Sequence, residues 1–520
     1  MFNIITERFV RMTVVDGVRP ASLPEVFVAL MKNEVAAFPA LRPHQRHAWH
    51  AFLVQLGAMA IRRAELAEPP SNAAEWLRII RALTPDYPDD EPWQLVVDDI
   101  TKPAFMQPPA SSTEREKDYK NIVATPDELD MLVTSKNHDL KAAVATYAAP
   151  DEWLFALITL QTMEGYAGRF NYGISRMPSG YGNRSAFSIT PSIRPGIHAR
   201  RDMEGLLEHR KEILGEYPVA EDGIGLIWTL PWNGTKAEAL LINQMEPFYI
   251  EVCRRIRLRE KKGELNATRA NSDSRRIVDV KGLTGDPWSP VGKNANQRGT
   301  PPAFLGPRKF SYERVVDGLF SPDWTRPYLL RPTQYDRNCD ETTQLIARGM
   351  VRGEGGTEGY HERIVPFRHK AALVFGRVGA PQRLEDIARE RITQTGIVQS
   401  ILRHAIATFA AHGDSDRKTH GNGKPSPNDL ARPWVNRLDE IIDARFFDDL
   451  QTEFESDDPG ERELIRNNWL SNIVIANAQT ILNTAQDSLP CPTIQRYRAR
   501  ASAQNLFDGQ KYQRLSFLFD

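Results

Sequence analysis

Cysteine is scarce in this 520-residue sequence: Cys253, Cys339 and Cys491 are all there is, far apart and with no CxxC pair. That spacing supports neither a disulfide framework nor a cysteine-based zinc site, and it fits a reducing cytoplasm. Long apolar runs are also missing; no stretch reaches the roughly eighteen residues of a membrane span. The amino end, MFNIITERFVRMTVVDG, meets Glu7 and Arg8 after a few apolar residues and has no small-residue cleavage site, so it does not read as a signal peptide. A cytoplasmic chain is expected. Nor does either sign of charge prevail, with 66 basic against 67 acidic residues. Overall charge therefore gives no support for a nucleic-acid partner, and only local clustering could. Catalytic signatures are absent too: there is no HExxH, no GxSxG and no GxGxxG in a strand-turn-helix context. GNGKPS at 421–426 lacks the glycine spacing of a phosphate-binding loop and follows a helical pattern, so it reads as a linker.

What is present describes a large folded protein. Hydrophobic residues make up 41% of the chain and ten are tryptophan, enough for sizeable cores, while the length exceeds what one core usually supports. The first forty residues suggest short strands, FNIIT and RMTVVD, then a helix after Ser22-Leu-Pro and a second near Arg42-Pro-His carrying Trp49, Phe52, Leu53 and Leu56. Proline-rich turns break up residues 68–125, and 150–300 alternate apolar pieces with glycine-rich stretches such as GYAGRFNYG, without a regular topology. Past Gly379 the texture becomes helical. Leu384, Ile387, Ile401, Leu402, Ala405 and Phe409 share one helical face, and Trp434, Leu438, Ile441, Ile442 and Leu450 form a second stripe. Leu464, Trp469, Ile473, Ala476 and Leu482 form a third behind a cap at Ser456 to Asp458, and a fourth helix follows Pro492. The expected fold class is α+β: an irregular mixed amino-terminal domain over 1–375, followed by a carboxy-terminal four-helix bundle over 380–520.

Three segments suggest contact with phosphate or base edges. Between Arg254 and Arg298 there are twelve basic residues, among them Arg275, Arg276 and Lys281, against five acidic ones, a local net charge of +7. Arginine dominates there, its planar fork suits phosphate oxygens, and GELNATRANSDSRR reads as an exposed loop. LVTSKNHDLK sets small donors beside a cation at Lys136, Asn137 and His138; a capped helix start fits it equally well. GMVRGEGGTEGYHER, 349–363, holds five glycines with Arg352 and Arg363 for charge and Glu354 as acceptor, a pliable backbone able to approach a partner closely. The plainer alternative there is a wide turn between strands with Tyr360 packing back. His44, His47 and His50 in HQRHAWH lie along one helical edge and, with no carboxylate nearby in sequence, read as surface plus one packed imidazole rather than metal ligands. The acids of PDYPDDEPWQLVVDDITK are spaced loosely enough to be turn acids.

The amino-terminal run FNIITERFVRMTVVDGVRPASLPEVF with EVAAFPALRPHQRHAWHAFLVQLGAMA, then AFMQPP, LVTSKNHDLK, KGLTGDPWSP and GMVRGEGGTEGYHER, resemble the CasA-type large subunit of the type I-E Cascade complex. The resemblance covers nearly the whole chain. It implies a non-enzymatic role in CRISPR interference: a subunit of a guide-RNA ribonucleoprotein that recognises the protospacer-adjacent motif on double-stranded target DNA from the minor groove, helps part the strands, and recruits a helicase-nuclease. Carried onto this sequence, it implies a glycine loop at Arg352, Gly353, Glu354, Gly355 and Gly356, a basic finger at Arg275 or Arg276 with Lys281 close by, and a contact loop at Lys136, Asn137 and His138. The strand-parting wedge is a glutamine in the best-known members. Residues 349–363 hold no glutamine, and Glu354 is the nearest analogue. No metal or cofactor is expected, and the cysteine-rich zinc site of some members has no counterpart around Cys253. Two rival readings come from the residues: a metal-dependent nuclease using the Asp86 to Asp99 acids, and a non-specific single-stranded nucleic-acid binder, against which stands the lack of aromatics over 254–287.

Overall fold

The computed structural model describes residues 2–129, 148–177, 180–182, 184–278, 285–292, 310–321, 324–337, 342–353, 356–376, 381–413 and 425–519. The first strand expectation is met only in part. FNIIT forms a turn with a single bridge from Asn3 to Gln94, whereas β1 (Val10–Val14) and β2 (Gly17–Ala21) make an antiparallel hairpin. α1 (Leu23–Met31) starts at Ser22, whose N–H donates to the Glu25 carboxylate at 2.9 Å, and buries Val26, Phe27 and Leu30. α2 (Arg46–Arg63) is buried on nearly every side, as a helix through the middle of a core must be, and α3 (Ala73–Arg81) lays Trp76 flat on Phe27 at 4.3 Å.

A second group of elements surrounds α2. Strand β3 (Asn121–Val123) leads to α4 (Pro150–Met163), also buried over most of its surface, and then to β4 (Ala186–Thr190) and α5 (Pro195–Glu216). β5 (Ile224–Leu226) and β6 (Met245–Ile250) pair in parallel, and β7 (Arg255–Lys261) and β8 (Glu264–Ala270) form a hairpin extended by β3. The stretch from Gly263, expected as an exposed loop, is therefore a strand over its first half, Glu264–Ala270. One continuous core, including Trp49, Trp93, Trp153, Trp228 and Trp288, joins these elements.

The chain divides into two compact units, one of residues 1–310 and 321–369, the other of 311–320 and 370–520. In the second, α6 (Tyr312–Phe320) joins the carboxy-terminal helices. In the first, the long hairpin β9 (Thr343–Gly353) and β10 (Gly356–Phe367) has β4 on its outer edge, all antiparallel. The helical unit continues with α7 (Pro381–Ala410), α8 (Pro427–Asp443), α9 (Phe446–Glu455), α10 (Pro459–Trp469), α11 (Ala476–Ser488) and α12 (Thr493–Arg514). All six residues expected along α7 are buried. The third stripe is met in part: Trp469 and Leu482 are buried, but Leu464 is 61% exposed and Ala476 lies outside, while Leu470, Val474, Ala478 and Ile481 also face inward. A wide π turn at Leu470–Ile475 interrupts the stripe, and five-residue hydrogen bonding rotates the face that a 3.6-residue period projects beyond it.

The helical unit is locked by an ion pair with no access to water. Arg391 Nε donates to Glu453 Oε2 at 2.8 Å, both side chains are fully buried, and the guanidinium lies 4.3 Å from the Trp469 ring. Burial holds the Glu453 carboxyl above its usual range. Arg391→Met should lower the unfolding free energy by about 3–5 kcal/mol, because it leaves the buried Glu453 carboxylate with the longer Arg466 contact at 3.5 Å, and Arg391→Met with Glu453→Leu should recover most of that loss. Urea denaturation of the three variants decides it; equal losses in the single and double variants would contradict the claim.

Candidate nucleic-acid interface

The glycine-rich stretch at 349–363 is a strand pair rather than a pliable loop. Met350 pairs with Tyr360, Val351 with Gly359 and Gly353 with Gly356, so Glu354 and Gly355, which lie outside the described residues, are the two that connect the strands. The register slips between Val351 and Arg352, and Gly359 opposite that slip has φ +141°, a value a side chain would strain. The stem is fixed from inside: Arg348 Nε donates to Glu362 Oε2 at 2.6 Å, Tyr360 Oη donates to the same oxygen at 2.8 Å, and Tyr360 packs on the core. The Arg348 and Arg46 charges, with those hydrogen bonds, hold the Glu362 carboxyl below its usual range against the opposing effect of burial. The backbones of Arg352, Gly353 and Gly356 thus sit at the tip of a stiff hairpin.

A second glycine-rich segment, GYAGRFNYG at 165–173, shapes a surface loop that sequence reasoning left without a role. Ala167 N donates to Asn171 O and Asn171 N to Gly168 O, each at 3.0 Å, closing the loop on itself. Gly168 has φ +103° with open space where a side chain would go, and Phe170 holds φ +72°, a conformation costly for an aromatic residue. At the base, Gly165 and Gly173 meet so closely that a Cβ on Gly173 would lie 2.3 Å from the Gly165 carbonyl carbon. Tyr166, Arg169 and Asn171 are exposed. The loop rests on the segment carrying Arg275, where Ser272 N donates to Phe170 O at 3.3 Å and Ser175 Oγ donates to Ile277 O at 2.8 Å. Arg275 itself is half-buried. A glycine at φ > 0, followed by an arginine and packed beside a second arginine segment, was legible only as a composition, because nothing in the sequence pairs 165–173 with 271–277.

Of the nine described basic residues in that run, four are buried: Arg254, Arg255, Arg257 and Arg276. Arg276 is 2% exposed; its Nη1 donates to Glu238 O at 2.7 Å, its Nη2 to Pro231 O at 3.1 Å, and its charge lies over the Trp232 ring. Burial pushes it down to about 10, and in this fold it is a structural residue, which corrects its assignment as a finger. Arg257 donates to Ile100 O and Lys102 O, Arg254 to Gly165 O at 2.9 Å, and Arg255 to Asn271 O at 2.8 Å. Lys261 and Lys262, at the β7–β8 turn, are exposed. Lys136, Asn137, His138 and Lys281 lie outside the described residues.

Beneath the hairpin stem lie the histidines that the sequence read as surface plus one packed imidazole. His44, His47 and His50 are all buried, and His50 has a carboxylate after all: its Nε2 is 2.8 Å from Asp202 Oδ2 on α5. His198 Nε2 lies 3.3 Å from the same oxygen and stacks on His50 at 3.9 Å. Among the described residues this is the one group of three potential metal ligands. Its oxygen, however, already accepts from Trp288 Nε1 at 3.1 Å, and Arg201 donates to Oδ1 at 3.0 Å. With the charges of Arg201 and Arg348 close by, the arrangement suits an anionic carboxylate and disfavours a cation. The acids between Asp86 and Asp99 do not assemble a metal site either: Asp90 pairs with Arg81, Glu91 with Lys102, and Asp99 accepts from Thr101.

No protein-family model matches the chain, and no curated protein matches it in sequence. Solved structures do match in fold. Thermobifida fusca Cse1 is 15% identical with a TM-score of 0.69, covering 100% of this chain and 99% of that one. The CRISPR-associated protein Cse1 from Acidimicrobium ferrooxidans is 13% identical with a TM-score of 0.67, covering 98% of both. A chain of a CRISPR RNA-guided surveillance complex is 13% identical with a TM-score of 0.58, covering 100% of this chain and 99% of that one. The chain has the Cse1/CasA fold from end to end.

The buried His198 makes the fold acid-sensitive. Burial, with the neighbouring His50, pushes His198 down to about 3, below the ordinary 6.5. Its neutral form therefore favours the folded state above pH 6.5, and that contribution is lost progressively as pH falls towards 3. The melting temperature should drop between pH 6.5 and pH 4, and less steeply in His198→Gln. Parallel curves for the two proteins would disprove the assignment.

Proposed function

We propose that the chain is the CasA-type large subunit of a type I-E guide-RNA surveillance complex, a non-enzymatic component that recognises the motif flanking a target in duplex DNA. Its partners would be double-stranded target DNA, the guide-RNA ribonucleoprotein with its other subunits, and a helicase-nuclease recruited after target binding, all in the cytoplasm. The observation that carries this is the end-to-end likeness to a chain of a CRISPR RNA-guided surveillance complex. The resemblance of the sequence blocks, found without reference to the fold, agrees with it.

The geometry suggests how duplex DNA would be met. The minor groove is narrow, about 6 Å, and its pattern separates mainly A·T from G·C pairs. A loop entering it must be thin, and at Gly168 there is no atom within 4 Å of where a Cβ would be. Arg275, on the segment supporting that loop, is the finger this reading retains. The hairpin tip, Arg352, Gly353, Glu354, Gly355 and Gly356, is the part that would enter the base stack. Parting the first pairs costs a few kcal/mol, offset by the guide pairing that follows. The wedge would be Glu354, where a carboxylate replaces an amide. Lys136, Asn137, His138 and Lys281 remain contacts proposed from the sequence.

Complex assembled without this chain should bind target duplex far more weakly than complete complex; equal binding in a filter assay would refute the role. Within the chain, Gly355→Val with Gly356→Val should weaken binding of motif-containing duplex by about tenfold or more, while binding of single-stranded target complementary to the guide stays unchanged. Equal loss on both substrates would remove the tip from recognition. Arg275→Ala should reduce the slope of log affinity against log salt by about 0.9, the contribution of one phosphate contact. The rival nuclease reading predicts cleavage of DNA by the purified chain with magnesium.

A further inference from the structure

We propose that Glu251 is a positioning residue that holds the 165–173 loop and the Arg275 segment in one fixed arrangement, so that its protonation regulates duplex recognition. This rests on the function proposed above, since it concerns how that surface is held.

Glu251 follows β6 and is 3% exposed. Its two carboxylate oxygens are divided between consecutive amides at the exit of the glycine-rich loop: Ser175 N donates to Oε1 at 2.7 Å and Arg176 N to Oε2 at 2.9 Å. Ser175 then continues the chain of contacts, donating its hydroxyl to Ile277 O at 2.8 Å on the segment that carries Arg275. One carboxylate thus sets the backbone of 175–176, and through Ser175 the distance to 277. At the entrance of the loop, Arg254 Nη2 holds Gly165 O at 2.9 Å, and Ile174 N donates to Glu164 O at 3.0 Å. Exit and entrance are both pinned, and the exposed residues between them are free to meet a ligand.

Only the ionised form is a strong acceptor for both amides. A protonated carboxyl turns one oxygen into a hydroxyl donor facing an N–H, and that hydrogen bond is lost. Burial pushes the Glu251 carboxyl up to about 7, opposed by the two amides and by the Arg176 and Arg275 charges. The other titratable groups around it are Tyr249 and Cys253, both driven up by burial and neutral near pH 7, with Asp286 facing Arg176 and Glu164 facing Cys253. The switch from a single to a double acceptor therefore falls near neutrality, with the loop tethered more firmly above it. Stability runs the other way. A carboxyl raised on folding contributes stability present below its unfolded value and lost as pH rises through 7, so recognition and stability respond to pH in opposite senses.

The test uses the full chain in its assembled complex, as wild type, Glu251→Gln and Ser175→Ala. Wild type should bind motif duplex several-fold more tightly at pH 8 than at pH 6. Glu251→Gln, whose amide offers one acceptor and turns a donor towards an N–H, should bind about tenfold more weakly at pH 8, with a flat pH profile and no fall in melting temperature. Ser175→Ala should bind weakly but keep the pH dependence. On the chain alone, amide exchange at Ser175 and Arg176 should be faster in Glu251→Gln. Matching affinities and exchange rates in wild type and Glu251→Gln would overturn the inference while leaving the proposed function intact. A wild-type complex that does not prefer motif duplex over a scrambled flank would overturn that function, and this inference with it.

Discussion

The amino-terminal unit depends on arginine side chains placed against backbone carbonyls inside the protein. So much of this unit is irregular that many peptide groups are buried without a helical or sheet partner, and a buried carbonyl without a donor is costly. Arg201, Arg254, Arg257 and Arg276 supply those donors, reaching Leu329 O and Arg331 O, Gly165 O, Ile100 O and Lys102 O, and Glu238 O and Pro231 O. A guanidinium suits this better than an ammonium because its five N–H groups fan out in a plane and can satisfy two carbonyls at once. Burial lowers Arg257 and Arg276 to about 10, yet both remain protonated at neutral pH. Ordered loops are thereby obtained without regular secondary structure.

The same constraint explains what could and could not be read from the residues. In the helical unit, the 3.6-residue period of Leu384, Ile387, Ile401, Leu402, Ala405 and Phe409 matches burial residue by residue. The third stripe is interrupted by the π turn, which leaves no trace in composition. In the first unit, the run from Arg254 reads in sequence as surface charge suited to phosphate, whereas part of it donates to carbonyls more than 100 residues away, as between Arg257 and Ile100. Asp202 is likewise 152 positions from His50, so no local pattern could pair them. The 349–363 stretch was read from its glycines, whereas its register is set by Arg348, Tyr360 and Glu362 in the stem. Of the candidate interface, Arg275 and the hairpin tip were visible in the sequence; the loop at 165–173 and its packing on 271–277 were not.

Stiffness is what the proposed strand-parting step requires of the hairpin. A segment that pushes between stacked base pairs works against a few kcal/mol, and a freely jointed run of glycines would bend before the duplex yielded. Here β9 is bonded on both edges, to β10 and to β4, and its Arg348 is held by Glu362 within the core. The buried network below, Asp202 with His50, His198, Trp288 and Arg201, ties α2 and α5 together and keeps the floor from shifting. At the tip the sequence places glycine at 353, 355 and 356, and backbone without side chains is thin. In the proposed role, glycine makes the tip thin while paired strands carry the load, and both properties are needed in one element for a protein loop to displace a base pair instead of being displaced by it.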